Sequence, residues 1–568
     1  MKRRERSHLE DLNAMEAIRA SVTRRDVLKY GTGAVLSFGV LEALLAACEP
    51  SHSTTNTSVS KTPTDTLVVA VEGDIDTFDP AFTVGSKPAQ TTIQNTFDQL
   101  TQYKHADKAV AGVNFTGVDT EQIDGMLAES YETKGNQVIF TLRQGLTYSD
   151  GTAITAPVIE QGYRRVFEAQ GISFFLLSMA AVPDPSHIKA LDDRRVAITM
   201  DAPNLLLMKN NTMHNTSSLD IKDVKAHATG SDKWATDYFK KNLAPGNGPF
   251  MLDQYVPGDR IVLKANPNYY GTKPKLAKII QKIVPDAAER ELLIKRGEVD
   301  MIMVPPVQDL NTLKQDPGLQ VLTFPNPRNL FLEMNNKMPP FDKKGVRQAV
   351  SYAVPYDSIL KDVFKGYAQV NRSMVGNGMP SSDFSTWNYN TDLKKAGDTL
   401  AAAGFPNGQG APPITLTVRA DWQEAERAAV LIQSNLNKIG LKVSIQKVAF
   451  APFNEQEQGR KLHMWIDEWL SWVNDPWYHM SWNASSDSPT NYVSYANPAV
   501  DALVKKWTLS LDKDGRIQGS KDAQKLITAD APHAFLVGPN WNVVLRSNVK
   551  GYVYYNDELN RYAYMYKV

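Results

Sequence analysis

The stretch ITLTVRADWQEAERAAVLIQSNLNKIGLKVSIQ, residues 414–446, contains two strand patterns on either side of one helix pattern. Residues 414–418 and 441–446 are short runs rich in β-branched side chains. Residues 424–439 repeat apolar side chains at helical spacing and are followed by Gly440, which suits a helix end. Two strands joined through a helix pair in parallel, and helices cover a parallel sheet. The stretch therefore predicts an α/β fold.

Similar patterns extend across the chain in separate groups. Strand patterns lie at residues 67–71, 138–142, 260–264 and 329–333, and helix patterns lie at residues 156–167, 289–296 and 346–353. A chain of 568 residues is too long for one hydrophobic core. We therefore expect a mixed α/β body with more than one lobe.

Composition and motifs argue against several classes of function. Lys plus Arg and Asp plus Glu both number 62, so no basic excess indicates a nucleic-acid partner. The single Cys48 excludes intrachain disulfides and Cys-based zinc clusters. The sequence lacks the GxSxG and HExxH motifs, and we expect no catalytic residues, no metal and no cofactor. The pairs His463-Met464 and His479-Met480 leave a soft metal site as an alternative.

The N-terminal region has the layout of a secretory signal. Arg24-Arg25 precede an apolar run at residues 31–47, which is short for a membrane span. The paired arginines resemble a twin-arginine export signal, and LAAC at 45–48 resembles the lipobox of bacterial lipoproteins. This resemblance implies a signal peptide at 1–47 and lipidation of Cys48; the alternative is a Cys packed after an apolar helix. Residues 48–64 are rich in Ser and Thr and predict a flexible tether.

Several segments of the body recur in one known family and in the same order. They are DTFDPA at 76–81, LAESY at 127–131, FTLRQGLTYSDGTAITA at 140–156, GNGPF at 246–250, NPNYYGTKPKL at 266–276, RGEVDM at 296–301, NNKMPPFDKKGVRQAVSYAV at 335–354 and YANPAVDAL at 495–503. Together they resemble solute-binding protein family 5, the extracytoplasmic receptors of peptide-type ABC importers. The resemblance covers roughly residues 65–550.

The resemblance implies a two-lobed fold of the type II periplasmic-binding-protein class, with an extra subdomain in lobe one and a hinge. The expected division is lobe one at 65–325 plus 535–568, its subdomain at about 100–220, and lobe two at 326–534. Two chain crossings, near 325–334 and 526–539, would form the hinge. Ligand would sit in the cleft, and the lobes would close on it.

A Trp-rich segment, MWIDEWLSWVNDPWYHMSW at 464–482, holds five of the ten Trp residues. In peptide-binding relatives a cleft strand precedes an Asp-Pro pair, and many carry an Asp three residues before it that binds the ligand ammonium. The pair here is Asp475-Pro476, and that position is Trp472. The amine anchor is therefore absent by this resemblance, which favours modified or N-blocked peptides, sugars or apolar solutes. If residues 465–472 form a strand, Trp465, Asp467 and Trp469 share one face, and Glu468, Leu470 and Trp472 share the other. We expect one or two of Trp469, Trp472 and Trp477 in the site; the alternative places all five rings in a core.

The candidate ligand-binding residues lie in the early loop, at the first crossing or in the Trp-rich segment. They are Asp76, Thr77, Phe78, Arg328, Asn329, Trp469, Leu470, Trp472, Asp475 and Trp477. An alternative role for Asp76 and Thr77 is to close their turn, and an alternative for Arg328 is a salt bridge between lobes.

The expected function is the extracytoplasmic, lipid-anchored substrate-binding component of an ABC importer for peptides or a related solute. A membrane permease and, through it, a cytoplasmic ATPase would be its partners, and a monomer is expected. The alternatives are an oligosaccharide or other non-peptide receptor, a secreted hydrolase, and a sensor or chaperone-like receptor that does not transport.

Overall fold

The computed structural model describes residues 63–568 apart from Val84, Ala111 and Gly112. The predicted signal peptide at 1–47, Cys48 and the tether up to residue 62 lie outside the described residues.

A seven-stranded sheet organises the first lobe. Across the sheet its strands are Leu319–Phe324, Trp541–Arg546, Met301–Met303, Thr66–Val71, Lys278–Ile283, Arg260–Ala265 and Phe250–Val256. Thr66–Val71 runs parallel to both of its neighbours, and the other pairs are antiparallel. Alternate residues of Thr66–Val71 enter different cores, with Leu67 and Val69 on one face and Ala70 on the other. The sheet is therefore covered on both faces.

A six-stranded sheet organises the second lobe. Its strands, in order, are Ala368–Gln369, His533–Pro539, Asn329–Met334, Met464–Trp469, Ile414–Arg419 and Val443–Val448. Ile414–Arg419 and Val443–Val448 pair in parallel and are joined by the helix Gln423–Lys438. The predicted strand–helix–strand unit is thus confirmed, although its second strand begins at Val443 rather than at residue 441. One face of the helix, from Ala425 to Leu436, is buried in the core of this lobe.

Smaller sheets extend the first lobe. A four-stranded antiparallel sheet contains Ala128–Lys134, Gln137–Leu142, Arg195–Thr199 and Ile188–Ala190. A long hairpin of Thr101–Val110 and Val113–Gly125 precedes it, and Val549–Lys550 pairs with Tyr566–Lys567. The four-stranded sheet and the long hairpin lie in the region predicted as a subdomain, whose bounds remain a prediction.

Helices fill the connections between strands. They are Lys87–Thr96, Ala156–Ala169, Ile172–Met179, Leu206–Asn210, Ile221–His227, Thr236–Phe239, Ala287–Arg296, Leu310–Leu313, Lys344–Ala353, Tyr356–Ser358, Leu393–Ala402, Gln423–Lys438, Phe450–Gln458, Pro476–Asn483, Pro498–Thr508 and Lys513–Asp530. The helix predicted at residues 289–296 is Ala287–Arg296, and Gly297 ends it with a φ of 74°, in the left-handed region that suits glycine. Among the helices of the described residues, none combines the length and apolar character needed to cross a membrane.

The chain passes between the two large sheets twice. The first passage lies between Phe324 and Asn329, and the second is the single residue Asn540. On the side of the first lobe, the flanking strands Leu319–Phe324 and Trp541–Arg546 are paired with each other. On the side of the second lobe, the flanking strands Asn329–Met334 and His533–Pro539 are paired with each other. The predicted boundary at residue 535 falls inside the strand His533–Pro539, so the change of sheet comes slightly later than that division places it.

The Trp-rich segment forms a shorter strand than the alternation of residues 465–472 suggests. The strand is Met464–Trp469, and the chain leaves the sheet before the helix Pro476–Asn483. Asp475 caps that helix by accepting hydrogen bonds from the backbone N–H groups of Trp477 and Tyr478. Because Asp475-Pro476 starts a helix, Leu470 and Trp472 belong to the connecting loop, and the predicted alternation of faces holds only as far as Trp469.

Candidate ligand cleft

Two rings of the Trp-rich segment are structural parts of the second lobe. Trp465 and Trp477 are fully buried in its core. The indole N–H of Trp465 donates to Oε1 of Glu457 at 2.8 Å, and that of Trp477 donates to the carbonyl of Arg516 at 3.0 Å. Both indoles therefore have their polar atoms satisfied inside the protein, and Trp477 is not brought to the cleft.

Three other rings meet the first lobe. Trp469 is half-buried and packs against the core of the second lobe and against that of the four-stranded sheet. The ring of Trp482 lies 4.2 Å from that of Phe175, and the ring of half-buried Trp472 lies 5.4 Å from that of His214. These contacts place Trp469 and Trp472 where the lobes face each other.

The strand Met464–Trp469 has one incompletely paired edge. Its ladder with Asn329–Met334 includes all six residues, whereas its ladder with Ile414–Arg419 includes only Met464 and Trp465. From Ile466 to Trp469, one edge of the backbone is therefore not paired with a neighbouring strand of the sheet. An extended peptide can add to such an edge through main-chain hydrogen bonds.

Several buried polar atoms near these rings lack a partner within the described residues. They are Nε1 of Trp469, both ring nitrogens of His479 and Nε2 of His214. Burial lowers the pKa of His214 and of His479 to about 3, so both rings are neutral. A buried polar atom without a partner destabilises a protein by about 1–3 kcal/mol. A ligand that hydrogen-bonds to these atoms would remove that penalty.

Asp475 does not replace the missing amine anchor in this structure. Its carboxylate caps the helix Pro476–Asn483 and accepts from Nη2 of Arg516 at 2.7 and 2.6 Å. Both side chains are nearly buried. The carboxylate is therefore fully engaged within the second lobe.

The early loop is held by its own polar groups. The carboxylate of Asp76 accepts from the N–H of Thr77 at 2.8 Å and from the hydroxyl of Thr83 at 3.1 Å. Burial raises the pKa of Asp76 even though these hydrogen bonds lower it. Oγ1 of Thr77 accepts from the N–H of Asp79, and buried Phe78 meets the ring of Tyr255 edge-on at 5.1 Å. The contacts of Asp76 and Thr77 thus close the loop, which is the alternative role given for them, while Phe78 packs against Tyr255.

Arg328 is the centre of an ion-pair network between the lobes. Its guanidinium contacts Glu468 of the strand Met464–Trp469 and Glu558 near the C-terminus, which also pairs with Lys87. Nδ2 of Asn326 donates to Oε1 of Glu558 at 2.6 Å. The side chain of Glu558 is fully buried, and that of Arg328 is only 11% exposed. The salt-bridge alternative for Arg328 therefore describes its contacts, and the network ties the second lobe to the first.

The two adjacent acids of the strand have different surroundings. Burial alone would raise the pKa of Glu468, but the charges of Arg328, Lys87 and Arg419 lower it below its ordinary value. Burial raises the pKa of Asp467, which lies beside Glu457. The opposite faces predicted for these neighbours are consistent with their separate partners.

Two other predicted site residues lie at the ends of their strands. Asn329 is a predicted site residue, but it is buried and donates to the carbonyl of Met374 at 2.7 Å. Leu470 is half-buried just beyond the strand end.

His214 and Phe175 carry no motif that would pair them with tryptophans more than two hundred residues away along the chain. In the described part of the chain, no group of three or more His, Cys, Asp or Glu side chains is arranged to hold a metal ion.

Two sheets joined by two short passages, with an aromatic contact between the lobes, define the class of two-lobed solute-binding proteins. Residues 122–491 match the profile of the bacterial extracellular solute-binding proteins, family 5 Middle. The match covers well over half of the chain, and the chain belongs to this family. The predicted family, the two-lobed α/β fold and the assignment to the substrate-binding components of ABC importers are thereby confirmed.

Similar proteins extend over nearly the whole chain. The probable D,D-dipeptide-binding periplasmic protein of Escherichia coli K12 is 28% identical over 500 residues, which are 87% of this chain and 92% of that protein. The dipeptide-binding protein of the same organism is 25% identical over 86% of this chain and 92% of its own length. A periplasmic binding protein of Helicobacter pylori, solved with the peptide STSA, has a TM-score of 0.78 and 24% identity and covers 88% of this chain and 98% of its own. That last similarity bears on the fold alone.

Proposed function

We propose that this protein binds peptides in the cleft between its lobes and delivers them to an ABC permease in the membrane. The open backbone edge from Ile466 to Trp469 carries this proposal, because it suits the main chain of an extended peptide. The relatives named for dipeptides support the same class of ligand. A cytoplasmic ATPase would act through the permease, and the receptor would act as a monomer without turnover of its ligand.

The proposed mode of binding differs from an ammonium–carboxylate anchor at the strand end. Trp472 occupies the place of the Asp, and Asp475 is paired with Arg516. The peptide would instead be held by main-chain hydrogen bonds and by the faces of Trp469 and Trp472. Loss of a charge-assisted anchor removes about 1.5–3 kcal/mol of affinity for a free amino terminus at this position. We therefore expect the cleft to accept peptides whose amino terminus is blocked.

The N-terminal region supports a proposed lipid anchor. LAAC at 45–48 would be cleaved before Cys48, and the lipid on Cys48 would hold the receptor at the outer face of a membrane. The extracellular assignment of the family fits this location. A Cys48→Ser variant should move from the membrane fraction to the soluble fraction, whereas an unchanged distribution would contradict the anchor.

Native mass spectrometry of the full-length protein purified from its producing cells tests the ligand class. Bound molecules are released by denaturation and fragmented. A set of peptide masses would support the proposal, and hexose-spaced masses or one non-peptide compound would overturn it. Incubation of the released peptides with fresh protein should return them unchanged; shortened products would indicate a hydrolase.

A further inference from the structure

A small cavity lined by polar and aromatic residues lies within the first lobe, between the end of the helix Lys87–Thr96 and the C-terminal region. It has a volume of about 40 Å³, and its lining includes Gln94, Asp98 and several tyrosines. One water needs roughly 10–15 Å³ of such space. The cavity therefore has room for an ammonium group and the carbon that carries it, but not for a whole peptide.

The buried polar atoms of the lining that lack a partner include a carboxylate oxygen, an amide oxygen and the hydroxyl of Tyr103. Oδ1 of fully buried Asp98 and Oε1 of Gln94 make no hydrogen bond within the described residues. The other oxygen of Asp98 accepts from the hydroxyls of Tyr269 at 3.0 Å and Tyr270 at 2.6 Å. The tyrosines thus fix the carboxylate and leave one oxygen unused.

The amide of Gln94 is oriented by its neighbours. Its Nε2 donates to Oε1 of Gln99 at 2.9 Å, while Nε2 of Gln99 donates to the carbonyl of Phe97 and to Ser217. Because both N–H groups of Gln99 already donate hydrogen bonds, its oxygen is the atom left to face Gln94. The nitrogen of Gln94 must therefore point to Gln99, and the oxygen of Gln94 remains a free acceptor. The lining therefore offers unused acceptors from a carboxylate and an amide.

The charge and shape of the cavity favour a cation. Arg561 also belongs to the lining, but its guanidinium pairs with both oxygens of Asp557, at 2.5 and 2.6 Å, and lies 3.8 Å from the ring centre of Tyr555. The other nearby cation, Arg143, donates to the carbonyl of Met126 and is exposed. Among the described residues, Asp98 has no cationic partner within hydrogen-bond distance, and tyrosine rings attract cations with their faces.

We propose that this cavity binds a protonated primary amine, whose N–H groups donate to Asp98 Oδ1 and Gln94 Oε1 and whose charge faces the surrounding tyrosine rings. The amine is either a small free alkylammonium ion or the amino group of the transported solute. The inference does not depend on which solute the cleft takes.

Isothermal titration of ethylammonium chloride into the full-length protein at slightly alkaline pH tests this proposal. Wild-type protein should give a saturable heat that sodium chloride of equal ionic strength does not give. Asp98→Asn should weaken binding at least tenfold, and Gln94→Met, which removes the amide acceptor at similar volume, should weaken it by a smaller factor. Asp398→Asn makes the same chemical change at a side chain that is 67% exposed and should bind as wild type does.

Absence of a saturable heat, or equal binding by wild type and Asp98→Asn, would overturn the proposal. Circular dichroism establishes that each variant is folded, and Gln94→Met provides a second test if Asp98→Asn is not. Titrations of alanyl-alanine and N-acetyl-alanyl-alanine with and without ethylammonium identify the source of the amine. Competition with only the free-amine peptide would assign the cavity to the solute, and competition with neither would assign it to a free amine.

Discussion

Replacing Asp98 by Asn should change how the stability of the protein depends on pH. Burial raises the pKa of Asp98 from 3.8 to about 7, although Tyr269, Tyr270 and the charge of Arg143 oppose the shift. An Asn side chain retains an oxygen that accepts from the two tyrosine hydroxyls. The variant therefore keeps the contacts of Asp98 and removes only the buried charge.

The sign and size of the effect follow from the two protonation states. Between about pH 4 and pH 7 the folded protein holds a proton on Asp98 that the unfolded chain has released, so stability falls as pH rises. A pKa that rises from 3.8 to about 7 corresponds to roughly 4 kcal/mol, because each pKa unit is about 1.36 kcal/mol. Asp98→Asn should match the wild type near pH 4 and exceed its free energy of unfolding by a few kcal/mol near pH 8.

Urea denaturation followed by circular dichroism measures this difference at several pH values. Asp398→Asn is the control, because its exposed carboxyl should give a difference close to zero throughout. A difference between Asp98→Asn and wild type that stays constant from pH 4 to pH 8, or that favours the wild type more strongly as pH rises, would refute the reasoning.

Three further changes test the ion pairs and the cleft. Arg328→Met removes a cation that pairs with buried Glu558 and should lower the free energy of unfolding by about 3–5 kcal/mol. Adding Glu558→Gln should recover part of this loss. If the effects of the two substitutions on the free energy of unfolding, measured by urea titration, simply add, the pair does not contribute. Asp475→Asn removes the charge that neutralises buried Arg516 and should lower the melting temperature, which a scanning calorimeter would detect; an unchanged melting temperature would contradict this role. Trp469→Ala should weaken binding of a co-purified peptide at least tenfold in a titration, with circular dichroism as the folding control, and unchanged affinity would remove Trp469 from the site.

Local patterns predict much of the fold because strands and helices depend on neighbouring residues. The alternation and helical spacing of residues 414–446 predict the parallel unit of the second lobe, and its pairing is observed. The same reasoning overextends the strand of the Trp-rich segment. A strand over residues 465–472 is longer than the observed strand Met464–Trp469, because the chain leaves the sheet before the helix that Asp475 caps.

Patterns among neighbouring residues do not predict contacts between residues that are far apart along the chain. Glu558 pairs with Lys87 across 471 positions, and Asp98 accepts from tyrosines more than 170 positions away. The charge of each residue is visible in the sequence, but its partner depends on how two sheets come together. The resemblance to a family points to the Trp-rich segment, whereas only the coordinates show that Asp475 of this segment pairs with Arg516 within the second lobe.

The two passages between the sheets lie side by side and together form one hinge. Leu319–Phe324 pairs with Trp541–Arg546 on one side, and Asn329–Met334 pairs with His533–Pro539 on the other, so two neighbouring strands span the junction together. Sliding one sheet past the other would have to extend the single residue Asn540 that joins two strands, whereas bending requires rotation only near Pro325 to Arg328 and at Asn540. The covalent layout thus leaves bending and twisting as the soft motions and makes translation of one lobe along the other stiff.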